Sequence, residues 1–203
     1  MKNFAQFIAE KTSLHVFDVD DTLVHSKAMV HVKDEKGNTV QKITPSEYNT
    51  HKLEPGHQYD YHEFRSSDLF KKTSKPIGKM IKTINAAQAM ASKNPKNKTI
   101  INTARADFDD KDKFLGTLKA HGIEHIDKIH VHRAGNIPGP EKPEHKKLTF
   151  IRQHMAKHSY NHVKMYDDSK PNLDAFLSLK KEYPKTRFTA YHVGDGGKMT
   201  IHK

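Results

Sequence analysis

The sequence predicts an α/β protein in which helices flank a mostly parallel β-sheet. Four short apolar segments, at 13–19, 98–106, 126–135 and 162–172, alternate with longer segments whose apolar residues recur at helical spacing. This alternation is typical of parallel strands joined by crossover helices. Three of the four segments run into Asp or Thr, and the carboxyl ends of parallel strands line the ligand crevice of such folds.

The helix-like segments each carry one apolar face. Near the N-terminus, Phe4, Phe7 and Ile8 share a face and predict a short amphipathic helix. The 75–93 segment predicts a longer helix with Ile77, Met80, Ile81, Ile84 and Ala87 on its buried side. Further helices are predicted at 109–123, 143–158 and 172–184, and a closing pair of strands at 186–193 and 198–203.

Residues 25–75 interrupt the alternation and are interpreted as an insertion. The block is polar and dotted with aromatic residues, and "AMVHV" and "TVQKIT" flank the turn-forming "KDEKGN". This pattern predicts a β-hairpin with a Gly-containing turn. We therefore expect one core domain made of residues 1–24 and 76–203, with residues 25–75 as a small inserted unit.

Composition narrows the classes of function. The chain has 35 Lys and Arg against 24 Asp and Glu, which gives a formal net charge of +11. Such a surface attracts polyanions, nucleic acid among them, through a salt-sensitive field. The absence of Cys excludes disulfides, thiolate metal sites and a Cys nucleophile. No apolar run is long enough to span a membrane, so a cytoplasmic location is expected.

Carboxylates cluster at two of the predicted strand ends. The apolar run in "LHVFDVDDTLV" ends in Asp18, Asp20 and Asp21, and "KMYDDSKPN" carries Asp167 and Asp168. Carboxylates brought together at one crevice repel one another unless a hard cation is shared among their oxygens. Mg²⁺ is the expected cofactor, because it binds through a few carboxylates, water and phosphate oxygens. The alternative, an Asp that only caps the next helix, accounts for one such residue more readily than for the set.

Three stretches resemble motifs of the haloacid dehalogenase superfamily, whose members are mostly magnesium-dependent phosphatases. "FDVDDTLV" resembles its Asp-x-Asp-x-Thr-Leu nucleophile motif, although many members carry Gly at the position of Asp21. "IINTARA" resembles the second motif, and "KMYDDSKPN" resembles the fourth, which completes the metal site. The resemblance implies a Rossmann-like core of parallel strands flanked by helices, with residues 25–75 as a small cap containing the hairpin.

The resemblance also implies a role for each matching residue. Asp18 matches the nucleophile that attacks phosphorus, and Asp20 matches the general acid and base, whose backbone carbonyl reaches the metal. With Asp168 on the metal-binding Asp, the expected metal set is Asp18, Asp20 and Asp168. Asp167 would orient its neighbours from outside this set, and Thr103 would contact the phosphoryl group through its hydroxyl.

The third motif of the superfamily is a lone Lys, for which the sequence offers Lys142, Lys146 and Lys147. If Ile151 lies on the buried stripe of the 143–158 helix, a rotation of about 100° per residue places Lys147 on the sheet side and Lys146 away from it. Lys142, followed by Pro, resembles another version of the motif. Lys147 is the preferred catalytic lysine, and Lys146 and Lys142 are the alternatives.

The insertion and one arginine bear on the substrate. The insertion holds Tyr48, Tyr59, Tyr61 and Phe64, which suit either base stacking or a small core of the insertion's own. Arg105 has a counterpart in the phosphatase domains of polynucleotide kinase-phosphatases, which implies contact with a substrate phosphate. The favoured function is a phosphomonoester hydrolase acting on a nucleotide or on a DNA or RNA terminal phosphate. The alternatives are a phosphatase of a small phosphometabolite and a nucleic-acid-binding protein on an inactive fold.

Overall fold

The computed structural model describes residues 12–48 and 50–203, so the helix expected around Phe4 lies outside the described residues. The described strands are β1 (Ser13–Phe17), β2 (Val24–His25), β3 (Val30–Lys33), β4 (Thr39–Ile43), β5 (Gln58–Asp60), β6 (Lys75–Pro76), β7 (Lys98–Thr103), β8 (His130–Arg133), β9 (His162–Asp167), β10 (Arg187–Gly194) and β11 (Lys198–His202). The described α-helices are α1 (Pro45–Tyr48), α2 (Ser67–Thr73), α3 (Gly78–Lys93), α4 (Lys111–Ala120), α5 (Pro143–Lys157) and α6 (Lys170–Ser178).

Six strands form the central sheet in the order β11-β10-β9-β1-β7-β8. All neighbouring pairs are parallel except β10 and β11, which form an antiparallel hairpin at one edge. Phe17, at the end of β1, is level with Ile101 of β7 and Tyr166 of β9. The predicted α/β class, with a mostly parallel sheet flanked by helices, is confirmed.

Helices cover both faces of this sheet. Leu14 and Val16 of β1 belong to a buried cluster with Leu148 of α5, whereas Phe17 belongs to a second cluster with Met80 of α3. Because both faces are covered, β1 and β7 are buried along nearly their whole length, polar residues such as His15 and Asn102 included. In the part of the chain that the structure describes, no helix has the length and apolarity needed to cross a membrane.

The insertion contains the predicted hairpin and a third strand that was not predicted. β3 pairs antiparallel with β4 on one side and with β5 on the other. At the base of the insertion, β2 and β6 form a two-residue ribbon in which Val24 is level with Pro76 and His25 with Lys75. The two chain segments that connect the insertion to the core therefore lie side by side.

The two ends of the insertion pack differently. The three-stranded part has its own small cluster around Val30, Val32 and Ile43. Phe70 of α2 instead packs against Phe114 of α4, with ring centroids 4.9 Å apart, and belongs to the large cluster under the sheet. Helix α2 thus contributes to the core although it lies within residues 25–75.

Candidate active site

The first carboxylates lie where β1 ends. Asp18 donates its backbone N–H to the carbonyl of Tyr166 at 3.0 Å, which continues the pairing of β1 with β9. The chain then turns tightly, and two later amides return to the carbonyl of Val19. Asp21 adopts a φ of 52° in this turn, a left-handed conformation that Asp tolerates better than most residues other than Gly. The turn holds Asp18 and Asp20 at the edge of the sheet.

Three carboxylates meet a buried lysine at this edge. One oxygen each of Asp18, Asp167 and Asp168 lies within 4.8 Å of the other two. From α5, Lys147 donates through Nζ to Oδ1 of Asp18 at 2.7 Å and to Oδ2 of Asp167 at 2.8 Å. Lys147 is only 1% exposed, so its ammonium group acts in a medium of low dielectric constant. A single lysine charge balances at most one of the three carboxylates.

Burial and the repulsion among the carboxylates shift the pKa values of Asp18 and Asp168. Burial raises the pKa of Asp168 to about 9, with added repulsion from Asp167 and Asp18. Burial also raises the pKa of Asp18 to about 7, although Lys147 opposes the shift. Burial alone would lower the pKa of Lys147, but Asp167 and Asp18 outweigh it and hold the lysine as a cation. A divalent cation among these oxygens would relieve the repulsion, so these residues fit a Mg²⁺ site.

The side chain of Asp20 is turned to an arginine. Arg105 donates from Nε to Oδ2 of Asp20 and from Nη2 to Oδ1, both at 2.7 Å, and the hydroxyl of Ser26 also donates to Oδ1 at 2.7 Å. Burial would raise the pKa of Asp20, but the charge and hydrogen bonds of Arg105 and the bond from Ser26 lower it below its ordinary value. Asp20 is therefore held as a carboxylate in this arrangement.

Arg105 also joins the site to the insertion. Its Nη1 donates to the backbone carbonyl of Phe64 at 2.7 Å, and its guanidinium carbon lies 4.9 Å from the centre of the Phe64 ring. Four of its five N–H groups bond to Asp20, Ser26 and Phe64, and its side chain is only 1% exposed. The predicted contact of Arg105 with a substrate phosphate therefore requires a rearrangement. That contact stays a prediction.

Thr103 and Asp167 are held by short-range hydrogen bonds. The Thr103 hydroxyl, at the end of β7, accepts a bond from the backbone N–H of Arg105 at 3.2 Å. Asp167 accepts from the backbone N–H of Ser169 and from the side-chain amide of Asn172, each at 2.9 Å. The start of α6 thus fixes the carboxylate that Lys147 contacts, and the orienting role of Asp167 stays a prediction.

A cleft of about 970 Å³ opens above these residues. Its floor includes Asp18, Asp20, Thr103, Lys147 and Asp168, and its walls include tyrosines of the insertion. Its rim includes the basic residues Lys33, Arg65, Lys142 and Lys146. The lining also includes Asp60, Glu141 and Glu144, and Nζ of Lys33 lies 2.6 Å from Oδ2 of Asp60. The upper part of the cleft therefore carries charges of both signs, above an acidic floor that suits a metal ion.

The structure brings together all the site residues proposed from the sequence, but it distributes their contacts differently. Among the candidate lysines, Lys147 contacts the carboxylates, and Lys142 and Lys146 lie at the rim. The side-chain cluster suited to a metal contains Asp167, which was expected outside it, whereas a contact of Asp20 through its carbonyl stays a prediction.

Sequence analysis missed two hydroxyl partners of the carboxylates. Ser26 bonds to Asp20, and the hydroxyl of Thr22 donates to Oδ1 of Asp168 at 3.4 Å. Thr22 stands in the Asp-x-Asp-x-Thr spacing, which was a usable signal. Ser26 lies outside the motif, and no sequence pattern indicated its contact with Asp20.

No protein-family model matches the chain, and no curated protein sequence is significantly similar to it. The resemblance to the haloacid dehalogenase superfamily therefore rests on the motifs in the sequence and on where their residues lie in the fold.

Proposed function

We propose that this protein is a Mg²⁺-dependent phosphomonoester hydrolase of the haloacid dehalogenase type. The observation that carries the proposal is the buried ammonium of Lys147, which bridges Asp18 and Asp167 beside Asp168 at the base of an open cleft. Burying one cation among three carboxylates is unfavourable for folding alone, because desolvation opposes the Coulombic gain. The cluster is explained if its charges serve to bind a cation and a phosphoryl group.

In the proposed reaction Asp18 is the nucleophile. Lys147 holds Oδ1 of Asp18, which orients the carboxylate for attack by one oxygen on phosphorus. A bond from Asp18 to phosphorus forms as the bond from phosphorus to the alcohol oxygen breaks, and Asp20 gives its proton to that oxygen. In the second step Asp20 accepts a proton from water, whose oxygen attacks phosphorus, and phosphate leaves as the carboxylate of Asp18 is restored.

The transferring phosphoryl oxygens need positive charge and hydrogen-bond donors. Lys147 and the hydroxyl of Thr103 are the candidates on this chain, and removing one such donor typically costs about 3–4 kcal/mol of transition-state stabilisation. Mg²⁺, when bound to the carboxylates, supplies Lewis-acid stabilisation of the same oxygens. For the first step Asp20 needs a proton, and a substrate phosphate offers Arg105 another partner when Asp20 is protonated.

The proposed substrate is a nucleotide or a DNA or RNA terminal phosphate. Support comes from the net charge of +11 and from three tyrosines, Tyr48, Tyr59 and Tyr61, that line the cleft. Tyr48 packs edge to face on both of the others, with centroids 4.9 and 5.8 Å away, and Tyr61 remains 42% exposed. Their packing serves the insertion's core and leaves a ring surface for a base. A small phosphometabolite is the second candidate.

Phosphate release from nucleotides, from 3′- and 5′-phosphorylated oligonucleotides and from sugar phosphates tests the proposal. We expect turnover that requires Mg²⁺ and is abolished in Asp18→Asn. Asp21→Asn is the matched control, because Asp21 is a nearby, partly exposed carboxylate that bonds to His25 at 2.9 Å and does not contact Lys147. If none of these substrates is turned over, and Asp18→Asn and the unmodified protein bind oligonucleotides equally, the protein is a nucleic-acid-binding protein instead.

Salt dependence separates the two substrate classes. An oligonucleotide that contacts several basic residues loses affinity steeply as salt rises, because its counterions are released on binding. We expect kcat/KM for a phosphorylated oligonucleotide to fall at least tenfold between about 0.05 and 0.3 M salt. For a small monoester kcat/KM would change little over this range of salt. A kcat/KM that is independent of salt on the best substrate would therefore favour the phosphometabolite.

A further inference from the structure

A second group of metal-binding side chains lies in the insertion, separate from the carboxylate cluster. His31 is in β3, and His62 and Glu63 begin the 3₁₀ turn His62–Arg65. One ligand atom of each lies within 4.8 Å of those of the other two. Nε2 of His31 is 2.7 Å from Oε1 of Glu63, and the rings of His31 and His62 meet edge to face with centroids 4.4 Å apart.

The neighbours of the two imidazoles orient them for a common ligand. Oδ2 of Asp60 lies 3.0 Å from Nδ1 of His62, and the hydroxyl of Thr39 lies 3.3 Å from Nδ1 of His31. A metal-bound His typically donates its other ring N–H to an oxygen of this kind. Both contacts use Nδ1, so Nε2 is the nitrogen of each ring that a metal would take.

Glu63 is held as a carboxylate. Its Oε2 accepts the backbone N–H of Met29 at 2.9 Å, and Nζ of Lys42 lies 3.6 Å from Oε1. The Lys42 side chain is 54% exposed, so it turns into solvent at little cost when a metal ion takes its place.

The three-stranded part of the insertion has only a small core of its own. The buried part of its hydrophobic cluster is limited to Val30, Val32 and Ile43. Units with cores this small usually depend on disulfides or a bound metal. The chain has no Cys, so disulfides and thiolate ligands are excluded, and a metal cross-link would have to use ligands such as His and Glu.

We propose that His31, His62 and Glu63 bind a divalent transition metal, with Zn²⁺ as the best fit and water as a fourth ligand. Two imidazoles and one carboxylate are a frequent zinc ligand set, whereas Mg²⁺ prefers oxygen ligands only. The metal fastens the turn His62–Arg65 to β3. It thereby fixes Phe64, whose carbonyl bonds to Arg105 at the edge of the candidate active site. This proposal does not depend on the proposed phosphatase activity.

The test uses the full chain carrying Asp168→Asn, which weakens the carboxylate cluster as a competing metal site. After treatment with EDTA, the protein is titrated with Co²⁺ and with Zn²⁺, and the visible spectrum, the calorimetric stoichiometry and Tm are measured. We expect one ion per chain and the strong visible bands of four-coordinate Co²⁺. We also expect Tm to rise by roughly 5–10 °C when free Zn²⁺ is about 100-fold above Kd.

Variants in the same background locate the site. His62→Ala and Glu63→Gln are expected to abolish the Co²⁺ bands, and Asp60→Asn to weaken binding about 10–100-fold as an outer partner. His57→Ala is the control, because His57 lies in the same insertion and pairs with Glu54 at 3.7 Å.

The side chain of His62 is 56% exposed, so its truncation is compatible with folding and keeps the test valid if Glu63→Gln does not fold. Absence of Co²⁺ and Zn²⁺ binding to the folded chain would overturn the proposal. So would binding that survives both His62→Ala and Glu63→Gln unchanged.

Discussion

Replacing Lys147 with Met removes the one cation that contacts both Asp18 and Asp167 in the described structure. Its Nζ lies 2.7 Å from Asp18 and 2.8 Å from Asp167, and the residue is 1% exposed. Removing one partner of a buried pair typically costs about 3–5 kcal/mol, because the other charge stays buried without compensation. Two carboxylates lose their partner here, but the raised pKa values of Asp18 and Asp168 allow protonation to offset part of the loss. We expect a loss of about 3–4 kcal/mol at neutral pH in EDTA.

Urea unfolding with and without Mg²⁺ measures this loss. The proposed Mg²⁺ site exists only in the folded chain, so Mg²⁺ at 100-fold above its Kd should stabilise the protein by about 2.7 kcal/mol. Turnover of Lys147→Met with Mg²⁺ should fall about 10²–10³-fold. Lys146→Met is the matched control, since the adjacent lysine lies at the rim of the cleft and its loss should change stability by about 0.5 kcal/mol or less. Equal destabilisation by the two substitutions would refute the role given to Lys147.

Three further outcomes are expected. The pKa values of Asp18 and Asp168 are raised from 3.8 to about 7 and about 9, so in EDTA the folded state binds protons that the unfolded chain releases. Their contribution to the free energy of unfolding is therefore most favourable below about pH 4 and is lost as pH rises towards 9. Urea unfolding measures this pH dependence, which Asp168→Asn should flatten. Gly135→Ala would place a Cβ 2.4–2.8 Å from backbone atoms around Arg105 and should cost about 1–3 kcal/mol. Gly116→Ala, in α4 with nothing within 4 Å, should instead stabilise by about 0.5–1 kcal/mol, and similar Tm shifts for the two would contradict this reasoning. Arg105→Met should cost about 3–5 kcal/mol in urea unfolding at neutral pH and less in acid, where Asp20 is protonated; an unchanged stability would mean that the Asp20 pair contributes nothing.

Local patterns were sufficient for most of the secondary structure. The α3 stripe is recognisable because apolar residues at helical spacing need a partner surface, and Met80, Ile81 and Ile84 are indeed buried. The hairpin of β3 and β4 follows from the turn between two short strand-like runs. Strand β5 was not predicted, because three polar and aromatic residues form a strand only through pairing with the distant β3.

The sequence by itself determined the α/β class, the order of the core strands and helices, and the strand ends that carry the carboxylates and Thr103. Helical periodicity predicted that Lys147 of α5 faces the sheet. Parallel strands bring their carboxyl ends to one edge of the sheet, so the sequence predicts that these residues meet there. Only the tertiary structure decided how their charges pair. Arg105 meets Asp20 across 85 positions of sequence, Lys147 takes two carboxylates, and His31 meets Glu63 within the insertion. These pairings depend on side-chain direction and burial in three dimensions, which strand and helix periodicity does not encode.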